Sequence, residues 1–145
     1  MSLLRLLFPV KRYTASQSWL LLAARIVFGL LFMAHGAAKW SNFDALAASF
    51  PDPLGLGSRA TLVAAILAEA ICPALVIAGA LYRLALLPMI FTMATAAFIV
   101  HRGDPFAAKE LAVVYLVVFI LMLFAGPGRY AFDRIVALRL VTRQR

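Results

Sequence analysis

The sequence predicts an all-α integral membrane protein, a four-helix transmembrane bundle with both termini in the cytoplasm and an amphipathic helix in the carboxyl-terminal tail. Hydrophobic residues make up 65% of the 145-residue chain, against about half in soluble domains. They are gathered in four long stretches, and most of the 14 Lys and Arg residues lie outside those stretches. The length and this pattern predict a single domain over residues 1–145.

Each of the four stretches is long enough to cross a bilayer. A helix needs about 20 apolar residues to span a hydrocarbon layer of about 30 Å. The stretches cover about residues 18–39, 60–81, 83–101 and 109–126. The second and third are nearly adjacent, so we expect an antiparallel hairpin there.

The positions of Lys and Arg predict the orientation. Nine of them lie on the side of the amino terminus, four lie on the opposite side, and Arg25 lies inside the first span. Cytoplasmic flanks carry the excess of cations. Both termini are therefore predicted to be cytoplasmic.

The segments outside the spans also carry apolar faces. Residues 3–8 are predicted to lie at the membrane interface, and residues 41–58 to form a short helix followed by a rigid Pro-rich turn. In the tail, Ile135, Leu138 and Val141 recur at helical spacing among arginines, which predicts a basic amphipathic helix on the inner leaflet. The formal charge of +8 thus indicates anionic lipid, and we expect no nucleic-acid partner.

Two charged residues inside the spans predict a buried ion pair. Arg25 is seven residues from the inner end of the first span, and Glu69 is nine from the outer end of the second. These depths of roughly 10 Å and 13 Å are measured from opposite faces of a layer of about 30 Å. They place the two residues about 6 Å apart along the membrane normal, within reach of an arginine side chain. The pair is either a structural clamp or a site at which Glu69 titrates or orients a ligand headgroup.

A second polar group is predicted at the outer ends of three spans. Its members, which share one depth, are His35, Lys39, His101 and Glu110. Such a ring is able to bind an anionic or quinone-like headgroup or to relay protons, because histidine titrates near neutral pH. The alternative is that these side chains simply reach water at the helix ends. The residue types would also suit a haem or a metal, but no local spacing supports either, so no metal ion is predicted.

The order and spacing of several motifs resemble the DoxX family between about residues 21 and 133. The motifs are Arg25, Phe28-Gly29 and His35-Gly36-x-x-Lys39 in the first span, Glu69 in the second, Gly79 and Tyr82-Arg83 at the hairpin, His101 after the third, Lys109-Glu110-Leu111 opening the fourth, and Gly126-Pro127-Gly128-Arg129-Tyr130 after it.

The resemblance implies a small four-span protein of the bacterial inner membrane. Similar proteins include a subunit of a thiosulfate:quinone oxidoreductase and members linked to oxidative stress through superoxide dismutase and a sulfurtransferase-type partner. The resemblance therefore implies an accessory subunit of a quinone- or thiol-linked redox system, with quinone as its possible cofactor. Enzymatic activity would then belong to it only as a subunit of such an oxidoreductase.

Two other functions stay open. The chain is alternatively a non-enzymatic scaffold that anchors soluble redox partners through its basic tail. It is alternatively a pathway for protons or small molecules, which in so narrow a bundle would require a homo-oligomer. Gly29 and Gly36, seven residues apart in the first span, predict the close approach of another helix inside the bundle or between protomers.

Overall fold

The computed structural model describes residues 12–142, and all the regular structure in that range is helical. The predicted interfacial segment at residues 3–8 and the side chain of Val141 lie outside the described part of the chain. In chain order the helices are α1 (Ala15–Ser41), α2 (Phe43–Leu46), α3 (Ser58–Ala78), α4 (Tyr82–Val100), α5 (Phe106–Ala125) and α6 (Phe132–Thr142).

Helices α1, α3, α4 and α5 are each long and apolar enough to cross a membrane. The prediction of an all-α protein with four transmembrane helices is thus confirmed, and the ends of the spans differ from those predicted by one to three residues. The hairpin between α3 and α4 is also confirmed. Helix α2 is the predicted short helix in the loop after the first span.

Local sequence signals explain where the helices begin and end. Thr14 accepts from the Gln17 amide while the Gln17 side chain accepts from the Thr14 amide, a capping box that starts α1. Helix α3 ends in a Schellman motif, because Gly79 takes the left-handed conformation (φ +70°) and Ala80 donates back to Leu75. Gly79 is needed there because side chains are disfavoured at that φ.

The packed interior lies mainly between α1, α4 and α5. Phe32 packs edge-on against Phe119, and Leu86, Met89 and Tyr82 are also almost completely buried. Large apolar side chains on all four spans point outward and remain exposed. This distribution is expected when lipid, and not water, surrounds the bundle.

Small residues bring α1 and α3 into backbone contact. A Cβ at Gly36 would lie only 2.7 Å from the Glu69 carbonyl carbon, and one at Gly29 would lie 2.5 Å from the Ile77 side chain. The predicted close approach at these glycines is therefore confirmed, and it takes place inside the bundle. Helix α3 widens into a π turn over Leu67–Ile71, at the level of this contact.

The tail forms the predicted amphipathic helix. Phe132, Ile135 and Leu138 on α6 expose about half of their surface, whereas Asp133 and Ala137 are buried against the bundle. The buried side attaches the tail to the spans, and the apolar outer side is exposed, where lipid would cover it.

Candidate functional site

Arg25 is buried and is surrounded by main-chain carbonyl oxygens. Its Nε donates to Val76 at 2.8 Å, its Nη1 donates to Pro127 at 2.8 Å and to Tyr130 at 2.9 Å, and its Nη2 donates to Ile77. The last carbonyls of a helix have no partner within the helix, and a cation is favoured beside them. Arg25 therefore closes the end of α3 and joins it to the segment after α5.

The predicted ion pair between Arg25 and Glu69 is not formed. Glu69 is buried and its Oε2 lies 2.5 Å from the Nζ of Lys39. The contact of Gly36 with the Glu69 backbone sets the register of the two helices. Arg25 precedes Gly36 by eleven residues, which is about 16 Å along α1 and beyond the reach of an arginine side chain.

The Lys39–Glu69 pair lies where two cavities meet. The larger, of about 370 Å³, lies between α3 and α4, and the smaller, of about 180 Å³, lies between α1 and α5. Both are lined by Lys39, Glu69, Met93 and His101. Glu69 lies within one π turn and His101 directly follows another. These two irregular turns therefore position the junction, the place where the two cavities meet.

The structure brings together three of the four residues of the predicted outer ring. His35, Lys39 and His101 all line the smaller cavity. Glu110 is exposed at the start of α5 and lines neither cavity. His101 also faces Asp104, with Nδ1 and Oδ2 separated by 2.7 Å. Within residues 12–142, no group of three His, Cys, Asp or Glu side chains is placed to hold a metal ion.

Tyr115 completes the aromatic wall of the smaller cavity. Its ring centroid lies 5.7 Å from that of His35 in an edge-on arrangement and 5.1 Å from that of Phe32. Phe32 and Tyr115 are buried and their rings are inclined at 52° to each other, so this side of the cavity is aromatic and held in place by packing. The nitrogen groups of Lys39 and His101 line the same cavity.

The loop between α2 and α3 lies over the larger cavity. Phe50 and Pro53 line that cavity. Between them, the Asp52 carboxylate accepts from the Gly57 amide at 2.7 Å and from the Thr61 hydroxyl at 2.8 Å. The Thr61 hydroxyl and the Gly57 amide stabilise the charged form and lower the pKa of Asp52. Asp52 therefore clasps the loop to the start of α3.

Comparison with known proteins assigns the family. A model of the DoxX family matches residues 20–102, which is more than half of the chain. The chain belongs to the DoxX family. No curated protein and no solved structure matches it. The region of this DoxX-family chain that matches includes Arg25, His35, Lys39, Glu69 and His101.

Two important residues beyond the matched region were missed by the sequence analysis. The buried Asp133 accepts from the Leu81 and Tyr82 amides, both at 2.8 Å, and so caps α4 from the tail. Asp is a preferred capping residue, but Asp133 is far from α4 in the sequence, so this role was not recognised from the sequence. Tyr115 carried a visible signal, since a tyrosine hydroxyl within an apolar span requires a polar surrounding.

Proposed function

We propose that this DoxX-family protein binds a quinone-like headgroup in the smaller cavity, as an accessory subunit of a membrane redox system. The observation that supports the proposal is the meeting of two cavities at the Lys39–Glu69 pair. A quinone ring is planar and has two carbonyl acceptors. The smaller cavity offers aromatic rings on Phe32 and Tyr115, which are able to contact such a ring, and nitrogen groups on His35, Lys39 and His101.

The chemistry of these side chains fits a quinone. Reduction of a quinone to a quinol takes up two electrons and two protons. A redox partner would supply the electrons. The imidazoles of His35 and His101 line this cavity, so they are the groups placed to deliver protons at the carbonyl oxygens.

The proposal includes a location in the bacterial inner membrane with both termini in the cytoplasm. The excess of Lys and Arg in the sequence before α1 and after α5 supports this orientation. The cavities, at the opposite end, would then lie in the outer half of the bilayer. An alkaline phosphatase fused after Arg145 should be inactive and a green fluorescent protein should fluoresce. The reverse pattern would contradict the orientation.

The binding experiment uses the protein purified in mild detergent. We expect quinone in its lipid extract, and a rise in Tm when a soluble benzoquinone is added. Glu69→Gln should weaken this response because Lys39 loses its partner and is free to reorient. Glu110→Gln is the matched control, since Glu110 lines neither cavity. An extract without quinone, together with an unchanged Tm, would refute the proposed function.

A further inference from the structure

We infer that the two cavities are the halves of one site for an amphipathic ligand, whose ring occupies the smaller cavity and whose hydrocarbon chain occupies the larger. This inference rests on the proposed function and specifies the class of quinone: one that carries a long apolar side chain. The four residues shared by the two cavities carry the argument, because a molecule in one cavity touches the wall of the other.

The walls of the two cavities differ in the way that such a ligand requires. The smaller cavity presents an amine, imidazoles and a phenol. The larger is mainly apolar, and the small side chains of Ala64 and Ala68 on one face of α3 leave its space open. A polar ring therefore fits the first cavity and a hydrocarbon chain fits the second.

The wall of the larger cavity includes two side chains that are exposed on the outside of the bundle. Phe91 and Val100, which line it, expose 55% and 37% of their surface on the outer side of the bundle. A chain-bearing molecule dissolved in the bilayer is thus able to enter between α3 and α4 without leaving the hydrocarbon layer. The apolar residues Phe50 and Pro53 of the overlying loop separate this chain from water.

The ion pair at the junction is compatible with an apolar chain beside it. Lys39 and Glu69 neutralise each other at 2.5 Å, so the junction carries no net charge toward the chain. The Lys39 side chain remains 26% exposed. Because Lys39 also lines the smaller cavity, a carbonyl oxygen of the ring is able to approach its side chain while it holds Glu69.

Two probes with the same headgroup test the inference. One is a dimethoxy-methyl-benzoquinone without a side chain, and the other is the same ring with a decyl chain. Both are titrated into the full chain in one detergent, and each variant is compared with wild type for the same probe, so partitioning into micelles cancels.

Ala64→Trp should fill the larger cavity. Ala64 is exposed, so the larger side chain does not disturb the core. We expect the affinity for the decyl probe to fall at least tenfold and the affinity for the chainless probe to change less than twofold. The unchanged binding of the chainless probe also shows that the variant is folded. Ala74→Trp, at an exposed position of α3 outside both cavities, is the matched control and should affect neither probe.

The possible failures are distinguishable. If Ala64→Trp weakens both probes equally, or neither, the larger cavity does not hold the chain and the inference is overturned, while the proposed function stands. If neither probe binds the wild type, the proposed function fails and the inference fails with it.

Discussion

Replacement of Arg25 by methionine should strongly destabilise the bundle. Methionine keeps much of the apolar stem but removes the donors to four carbonyl oxygens. Val76 retains a second donor, the Gly79 amide. At most three carbonyls are then left without a partner, at about 1–3 kcal/mol each.

The net loss is smaller than the sum of these values. Removal of the guanidinium also removes the unfavourable desolvation of a buried charge. Side-chain hydrogen bonds between transmembrane helices average only about 0.6 kcal/mol. Four bonds at that value give a lower limit of about 2 kcal/mol, and the loss of a partner from a buried charged contact gives an upper value of about 5 kcal/mol.

The assay is thermal unfolding in mild detergent. For a domain of this size, about 2–5 kcal/mol corresponds to a fall in Tm of roughly 6–20 °C. Arg25→Lys should recover part of the loss, because a single ammonium group reaches fewer of the acceptors. Arg102→Met is the control, since Arg102 is exposed. A fall of less than about 2 °C for Arg25→Met would show that the carbonyl contacts do not stabilise the bundle.

Three further predictions concern other contacts. Gly36→Leu should separate α1 from α3 and lower the Tm, because a Cβ at this position meets the Glu69 backbone. Ala37→Leu, at the adjacent exposed position, is the control and should have little effect on the Tm. Asp133→Ala should lower the free energy of unfolding by about 1–2 kcal/mol through loss of the α4 cap, and Asp133→Asn should lose less. The pKa of Asp52, followed by carboxyl NMR, should lie below that of an unperturbed aspartate. The contacts of its carboxylate with Thr61 and Gly57 therefore contribute fully to stability above the ordinary aspartate pKa. Their contribution is lost as the pH falls through the lowered pKa of Asp52.

Each of these predictions has a contradicting result. Equal Tm values for the two leucine variants would mean that α1 and α3 do not rely on close contact. An Asp133→Ala protein as stable as wild type would mean that the cap is replaced by water. A pKa of Asp52 at or above that of a free aspartate would mean that the Thr61 hydroxyl and the Gly57 amide do not hold its carboxylate.

The transmembrane helices were predictable because length and hydropathy alone define them. The second span was predicted to run to residue 81, whereas α3 ends at Ala78 because Gly79 takes the left-handed conformation. The predicted amphipathic tail followed from simple periodicity. These features depend on residues close together in the chain, so local patterns contain the needed information.

The pairing of charges was not predictable in the same way. The comparison of depths assumed that both spans start and end at the same planes, which placed Arg25 and Glu69 about 6 Å apart in depth. The true register depends on the contact at Gly36, a feature that no count along the chain reveals. The partners of Arg25 are main-chain atoms, which have no signature in the sequence.

The outer ring was partly predictable for a related reason. His35, Lys39 and His101 lie at helix ends whose depth follows from the spans, and they do line one cavity. Glu110 also lies near a helix end but is exposed and lines neither cavity, because rotation about the axis of α5 is set by packing. Depth is therefore recoverable from sequence, whereas the direction of a side chain in an almost uniformly apolar helix is not.

The contacts of Arg25 have a consequence for the synthesis of the protein. Two of its acceptors, Pro127 and Tyr130, lie 102 and 105 residues further along the chain. If the spans are inserted in chain order, the guanidinium is in the membrane with the first span before these two acceptors have been synthesised. A chain that is cut short before this point retains an embedded cation without half of its ligands, so the segment that follows the fourth span completes the assembly of the first.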